Sequence, residues 1–119
     1  MINRQSPHEM HLDRRYFDLV ALGRKTIEIR VDDARRRTIR AGSLIRFRCQ
    51  GDEVLTRVTR VARYAGFEEM LDHESLASVN PLATREEQLA DLRRIYPPER
   101  EALGVVAIGI DRVGPARSA

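Results

Sequence analysis

Tryptophan is absent from this chain, and lysine and cysteine each occur once. The single Cys49 has no internal disulfide partner and no metal-ligand spacing around it. It sits among strand-like residues, where a cysteine is ordinarily a buried structural thiol. Aromatic residues make up 5% of the sequence. Those six rings, Tyr16, Phe17, Phe47, Tyr64, Phe67 and Tyr96, are too few for a surface that stacks successive bases of a single strand. No apolar run approaches the length of a membrane span, so no membrane partner is expected. The opening MINRQSPHEMHL has no apolar signal-peptide core, and the expected compartment is the cytoplasm. The seven glycines are scattered as turn and cap residues. No phosphate-cradling glycine loop and no serine–histidine nucleophile signature is present. No cofactor is expected.

What is there belongs to a globular protein. The chain has 119 residues, 42% hydrophobic and 33% charged. That suits one domain over residues 1–119, long enough to bury a core without disulfide or metal staples. The formal charge is +3, and the pI of about 9.6 favours a polyanionic partner. With so few rings, contact with nucleic acid is expected to work through charge and a pocket.

Along the chain, HEMHL (8–12) alternates like a short strand. DRRYFDLVALG then carries the marks of a helix, with Asp13 as N-cap and Gly23 closing the C-terminus. KTIEIRV has period two: Ile27, Ile29 and Val31 point one way, Thr26, Glu28 and Arg30 the other. DDARRR suits a helical turn. A turn at Ala41-Gly42 leads to a strand with Leu44 and Phe47 as candidate core positions. EVLTRVTRVARY is a long strand whose parity changes between Val58 and Val61, which predicts a bulge. Arg46, Arg48, Arg57, Arg60 and Arg63 lie on these strands, where cross-strand ion pairs with Glu53 or helix acids are expected. GFEEMLDHE suits a short helix. TREEQLADLRRIY suits a longer one, with a Thr84/Glu87 capping box and an apolar stripe of Leu89, Leu92 and Ile95/Tyr96. Pro97-Pro98 ends it. GVVAIGI (104–110) is apolar on both faces, as a central buried strand requires. The order β-α-β-β-β-α-α-β with bent strands predicts an α+β fold, a small mixed β-barrel flanked by short helices.

Three clusters are candidates for chemistry. HEMH resembles half of a zinc motif, but its histidines are three apart on a strand, so His8 and His11 face opposite ways; no metal is expected. Arg35, Arg36 and Arg37 form either a solvated helical face or a phosphate-contacting rim, since guanidinium forks bind phosphate bidentately. The third cluster, GRKTIEIR (23–30), leads a helix cap directly into a strand that presents Lys25, Glu28 and Arg30. Its ordinary interpretation is a surface ion-pair ladder worth well under ~1 kcal/mol. The lone lysine argues for more. A chain with 20 arginines keeps one ammonium, a compact group with rotatable donors that is able to lose its proton. Lys25 has the opposite strand parity to Glu28, but at the strand start twist and side-chain reach bring its amine round.

The spacing Gly23-x-Lys25-x-x-Glu28-x-Arg30 resembles the GxKxxExR signature of ASCH domains, a branch of the PUA-like superfamily. HEMHL, YFDLVALGRKTIEIRVDDARRRTIRAGSLIRF and YPPEREALGVVAIGI are similar to compact bacterial members. The likeness covers a core of about residues 8–112. Ser43 departs from the family's usual aspartate after the turn glycine. The resemblance implies a PUA-like barrel with a cleft lined by the signature residues, and RNA or a nucleotide or nucleoside as ligand. Some small members hydrolyse the acetyl amide of acetylcytidine with a lysine equivalent to Lys25; others are described as ribonucleases. In those amidohydrolases threonine matches Glu28, and a carboxylate comes from the later helical region, where this chain offers Glu74, Glu86 and Glu87.

Two hypotheses from different classes follow, with ribonuclease activity or a protein-interaction role behind them. In a binding module, Lys25 is a charged donor, Glu28 orients it or accepts from a base amino group, and Arg24, Arg30 and Arg35–Arg37 contact the backbone. In a metal-free amidohydrolase on a modified nucleoside, Lys25 is base or nucleophile. Its pKa of about 10.4 must then fall by roughly three units. Glu28 opposes that fall, unless it is itself the general base. His8, His11 and Tyr96 are further candidates for the same cleft. Nothing in the sequence fixes the oligomeric state.

Overall fold

The computed structural model describes residues 6–118; Met1–Gln5, the start of the segment read for a signal peptide, and Ala119 lie outside it. The elements are β1 (His8–His11), α1 (Arg14–Ala21), β2 (Ile27–Val31), a 3-10 turn (Arg36–Thr38), β3 (Leu44–Cys49) and β4 (Asp52–Tyr64). They continue with α2 (Phe67–His73), α3 (Leu76–Val79), α4 (Arg85–Ile95), α5 (Pro98–Glu101), β5 (Val105–Arg112) and β6 (Arg117–Ser118). One curled sheet runs β1-β3-β4-β5-β2, with β6 pairing to β4. The β1–β3 pair is parallel and the other pairs are antiparallel. The result is the expected α+β fold, a curled half-barrel flanked by short helices.

The chain order follows from local signals. Helix α1 ends in a Schellman motif: Gly23 has φ +75°, and the N–H groups of Gly23 and Arg24 donate to the carbonyls of Val20 and Leu19. Glycine takes that left-handed conformation without steric cost. Asp13 occupies the N-cap of α1, although its side chain makes no capping hydrogen bond. The Thr84/Glu87 capping box of α4 is complete in both directions. Pro98 opens the one-turn α5, where proline's missing N–H is harmless.

The predicted bulge falls within β4, between Val58 and Arg60. Thr59 is the extra residue, and Gly109 on β5 lies against it. A Cβ at Gly109 would sit 2.6 Å from Thr59 Oγ1, so a side chain at position 109 would crowd the bulge.

Strand β5 separates two cores. Val106, Ile108 and Ile110 join Met10, Phe17, Val20, Ile45, Phe47 and Val58 inside the curl. Val105 and Ala107 join Ile27, Ile29, Val31, Phe67 and Met70 beneath α2 and α3. This accounts for a strand that is apolar on both faces. Two core expectations need correction. Ile45, not Leu44, enters the core with Phe47 and Cys49, because alternation along β3 groups residues two apart. Ile95 is 52% exposed, since the inward apolar surface of α4 is carried by Leu89 and Leu92, with Tyr96 beyond its end.

Candidate functional site

The sheet does not close. Strands β1 and β2 are its two ends, and the site lies in the gap between them. Register fixes what β2 shows to that gap. Glu28 pairs with Ile108 and Arg30 with Val106, so both charged residues share the face of the inner core. The seam is bridged by a side chain in place of a ladder: Arg30 Nη2 donates to the His11 carbonyl at 3.0 Å.

Lys25 enters from the Schellman turn. Its backbone N–H donates to Leu19 O at 3.1 Å, and the next residue, Thr26, donates to Ser78 O at 2.9 Å. These bonds tie the strand start to α1 on one side and α3 on the other. The Lys25 side chain is 4% exposed. Its Nζ donates to the carbonyls of Ile27 and Val79, each at 2.7 Å. Glu28 Oε1 lies 3.4 Å away, and the Tyr16 ring centre 5.9 Å. The surface-ladder interpretation is therefore overturned: this is a buried cation in a fitted seat. The parity argument holds, since lysine and glutamate meet despite opposite strand positions.

Glu28 is 5% exposed and receives Arg30 Nε on Oε2 at 2.7 Å. Burial works against its charge, but Arg30 and then Lys25 outweigh it and hold the carboxyl below its ordinary value. Burial pulls Lys25 below its ordinary value, with Glu28 pushing back. The geometry argues that Lys25 stays an ammonium. Two close carbonyls each demand an N–H, and a neutral amine would turn its lone pair toward the Glu28 carboxylate. Arg30 spends one donor on Glu28 and one on His11, which leaves further guanidinium N–H groups for a ligand.

Above this triad is a cavity of about 200 Å³. His11, Leu12, Asp13 and Tyr16 form one wall, Val79 and Asn80 another, and Gln88, Asp91, Leu92, Ile95 and Tyr96 the α4 wall. His11 and Tyr96 thus line the cleft, and His8 does not. Arg36 is half-buried beside it: burial, then the charge of Arg30, pull its guanidinium below its ordinary value. Arg24, Arg35 and Arg37 are exposed and absent from the lining. Arg37 instead donates to the Asp32 carbonyl at 3.2 Å. Among the described residues, no group of three or more His, Cys, Asp or Glu could hold a metal ion.

None of the three later glutamates named from the sequence lines the cavity. Glu74 is paired with Arg60 and Tyr64, Glu87 caps α4, and Glu86 is exposed. The later-region carboxylate that does line it is Asp91, with Gln88 one turn before it on α4. Gln88, Asp91, Leu92 and Ile95 stand at i, i+3, i+4 and i+7, one helical face. That spacing was the available signal. Gln88 is 3% exposed. Its Nε2 donates to the carbonyls of Leu76, Asn80 and Ala83.

Comparison with known proteins agrees with this fold. The family model for the ASCH domain matches residues 10–114. The crystal structure of the hypothetical protein PH0355 is similar over 91% of this chain and 100% of that one, at 35% identity and TM-score 0.82. The solution structure of protein PF0455 from Pyrococcus furiosus is similar over 91% of this chain and 98% of that one, at 36% identity and TM-score 0.73. Protein EF3133 from Enterococcus faecalis shares the fold at 16% identity and TM-score 0.68, over 94% of this chain and 83% of that one. Among curated proteins none matches this chain.

Proposed function

This chain belongs to the ASCH domain family, and on that premise we propose that it binds RNA by drawing one nucleoside into the Lys25–Glu28–Arg30 pocket. The family is a PUA-like, RNA-binding fold class. The pocket supports the finer reading by its size. At about 200 Å³ it falls below the ~300–1,000 Å³ of sites for drug-sized ligands. It suits one base better than a length of strand. The lining is not basic: two cations, Lys25 and Arg30, stand against three carboxylates, Asp13, Glu28 and Asp91. A site for phosphate alone would be more basic. Tyr16 and Tyr96 supply rings for base contact, and half-buried Arg36, close enough for its charge to be felt by Arg30 and Tyr96, is the guanidinium assigned to a flanking phosphate.

The observation that carries binding over catalysis is the seat of Lys25. Its amine is enclosed by two carbonyls at 2.7 Å and a carboxylate at 3.4 Å. It shapes the pocket floor as a fixed charge and has no free lone pair for a substrate. The test is equilibrium titration of short RNAs and free nucleosides, followed by fluorescence or calorimetry. Saturable binding lost in Arg30→Ala is expected; absence of binding by every nucleoside and RNA would overturn the reading.

Amide hydrolysis on an acetylated cytidine is the second reading. Asp91 favours it, since it brings a later-region carboxylate to the same cavity as Glu28. Incubation of the purified protein with acetylcytidine, followed by chromatography, separates the two. Acetate release abolished in Lys25→Ala would replace the binding reading.

A further inference from the structure

Three carboxylates line the cavity above the triad, those of Asp13, Glu28 and Asp91. Two of them are taken by cations. Glu28 gives one oxygen to Lys25 and the other to Arg30. Asp91 pairs with Arg94 and, at 3.9 Å, with Arg15. Asp13 is exposed, and among the described residues no cation pairs with it. Its chain neighbours spend their guanidinium groups elsewhere. Arg14 turns to Asp18, Asp52 and the Cys49 carbonyl. Arg15 lies over the Tyr16 ring at 4.6 Å and reaches toward Asp91.

The start of α1 explains why the Asp13 carboxylate is free. A side chain at an N-cap ordinarily accepts from the second or third N–H of its helix. Asp13 makes no such bond. The third N–H, that of Tyr16, donates instead to the Asp13 main-chain carbonyl at 3.0 Å, and the Phe17 N–H donates to the same carbonyl at 2.9 Å. Both carboxylate oxygens are therefore left to accept from a ligand. The triad reaches the same wall. Arg30 Nη2 donates to the carbonyl of His11, two residues before Asp13. Arg30 Nε goes to Glu28, and Nη1 has no protein acceptor among the described residues. An open carboxylate and a guanidinium with donors to spare thus border one cavity at the seam between β1 and β2.

Building on the nucleoside-binding function, we propose that Asp13 is the specificity-determining residue of the pocket and that the base it selects is guanine. A carboxylate with two open oxygens is matched by two N–H donors side by side. The pairing edge of guanine carries a carbonyl oxygen, then a ring N–H, then an amino group. Its two adjacent donors meet Asp13, and its carbonyl meets Arg30. Cytosine shows one amino group beside two acceptors, adenine one amino group beside a ring acceptor, and uracil one N–H between two carbonyls. Each of these sets an acceptor lone pair against the carboxylate. The RNA bound is then one with an unpaired guanosine, since the edge read is the one that base pairing would cover.

The experiment titrates the native protein with guanosine, adenosine, cytidine and uridine, and with two analogues of guanosine. Inosine lacks the amino group, and guanosine methylated on the ring imino nitrogen lacks the ring N–H. Guanosine is expected to bind tightest, and each analogue to lose about tenfold. Asp13→Asn is expected to bind guanosine and inosine alike, because an amide offers one acceptor in place of two. Asparagine serves an N-cap as well as aspartate does, and circular dichroism checks the fold. Equal affinity of guanosine and inosine for the native protein, tighter binding of another nucleoside, or a preference that survives Asp13→Asn would each overturn the role of Asp13 and leave the binding function standing. If no nucleoside and no RNA binds, the function itself fails and this role fails with it. The ligand series needs no mutation, so it decides between these outcomes even where Asp13→Asn does not fold.

Discussion

Two ion-pair clusters lie on the strands of this protein, and in sequence they resemble each other. One is Lys25, Glu28 and Arg30 around β2. The other is Glu9 on β1 with Arg46 and Arg48 on β3 and Glu53 on β4, linked at 2.6 to 3.5 Å. Both alternate charge with apolar residues along a strand. The second is the ordinary solvated ladder: side chains of Glu9 and Arg48 are 45% and 50% exposed. The first is sealed, with Lys25 and Glu28 side chains at 4% and 7%. The difference comes from position in the sheet. The ladder occupies the outward face of paired strands. The triad occupies the inward face of an end strand, where the barrel has no next strand to fill the space. Charge pattern alone does not distinguish a site from a ladder; an unfilled seam in the fold does.

The strongest way to break the comparison is to remove one cation from each cluster. Lys25→Met leaves the Ile27 and Val79 carbonyls without their donor and removes a counter-charge from buried Glu28. Breaking a buried pair costs about 3–5 kcal/mol. Urea unfolding is expected to show a loss of that order, with ligand affinity gone. Lys25→Arg is expected to fail too, by ~1–3 kcal/mol, because a planar guanidinium overfills a seat shaped for an ammonium. Retained stability and affinity in Lys25→Arg would mean that the seat is looser than its 2.7 Å contacts imply.

Acid titration sharpens the contrast next. Burial opposes ionisation of Glu28, yet Arg30 and Lys25 hold its carboxyl below the ordinary value. Its stabilising contribution is then complete above the unfolded value of about 4.3 and is lost as pH falls through the lower folded value. Glu9 is also lowered; its slight burial opposes ionisation, but Arg48 and Arg46 prevail. In ~1 M salt the Debye length shrinks to about 3 Å. Carboxyl-carbon NMR titration is expected to show Glu9 moving toward its ordinary value in that salt and Glu28 staying low. A Glu28 that moves with salt as Glu9 does would place it in solvent and undo the distinction.

Local signals in the sequence carried much of the fold. The Gly23 turn, the Thr84/Glu87 box, the β4 bulge and the doubly apolar β5 each have a cause within a few residues. Lys25, Glu28 and Arg30 were legible as a cluster for the same reason, since the spacing and the lone lysine are both local. The α4 wall was less accessible. The spacing of Gln88, Asp91, Leu92 and Ile95 marks one face of that helix, but it does not say that the face looks into a gap between β1 and β2. That gap exists only after the sheet has curled. Arg24, Arg35 and Arg37 are exposed and lie outside the cavity lining; their charge is plain in the sequence, and their place relative to the cleft is set only by the Schellman turn and the 3-10 turn.

The smallest expected effect completes the comparison from the ladder side. Glu9→Gln removes the negative charge shared by Arg46 and Arg48 and one of the two oxygens that accept from them at 2.7 and 2.6 Å. Short distances argue for strength, but exposure argues against it. Water competes for both partners, the long arginine side chains lose freedom when held, and Glu53 remains within 3.5 Å of each as a substitute. Exposed pairs of this kind are worth about 0.2–1 kcal/mol, and the substitute brings the expected loss to the lower end. Thermal melts should place Glu9→Gln close to the native protein, closer still in high salt, with ligand affinity unchanged. A loss as large as that of Lys25→Met would show that the ladder, despite its exposure, holds β1 in place, and through the His11 carbonyl it would then reach Arg30 and the pocket.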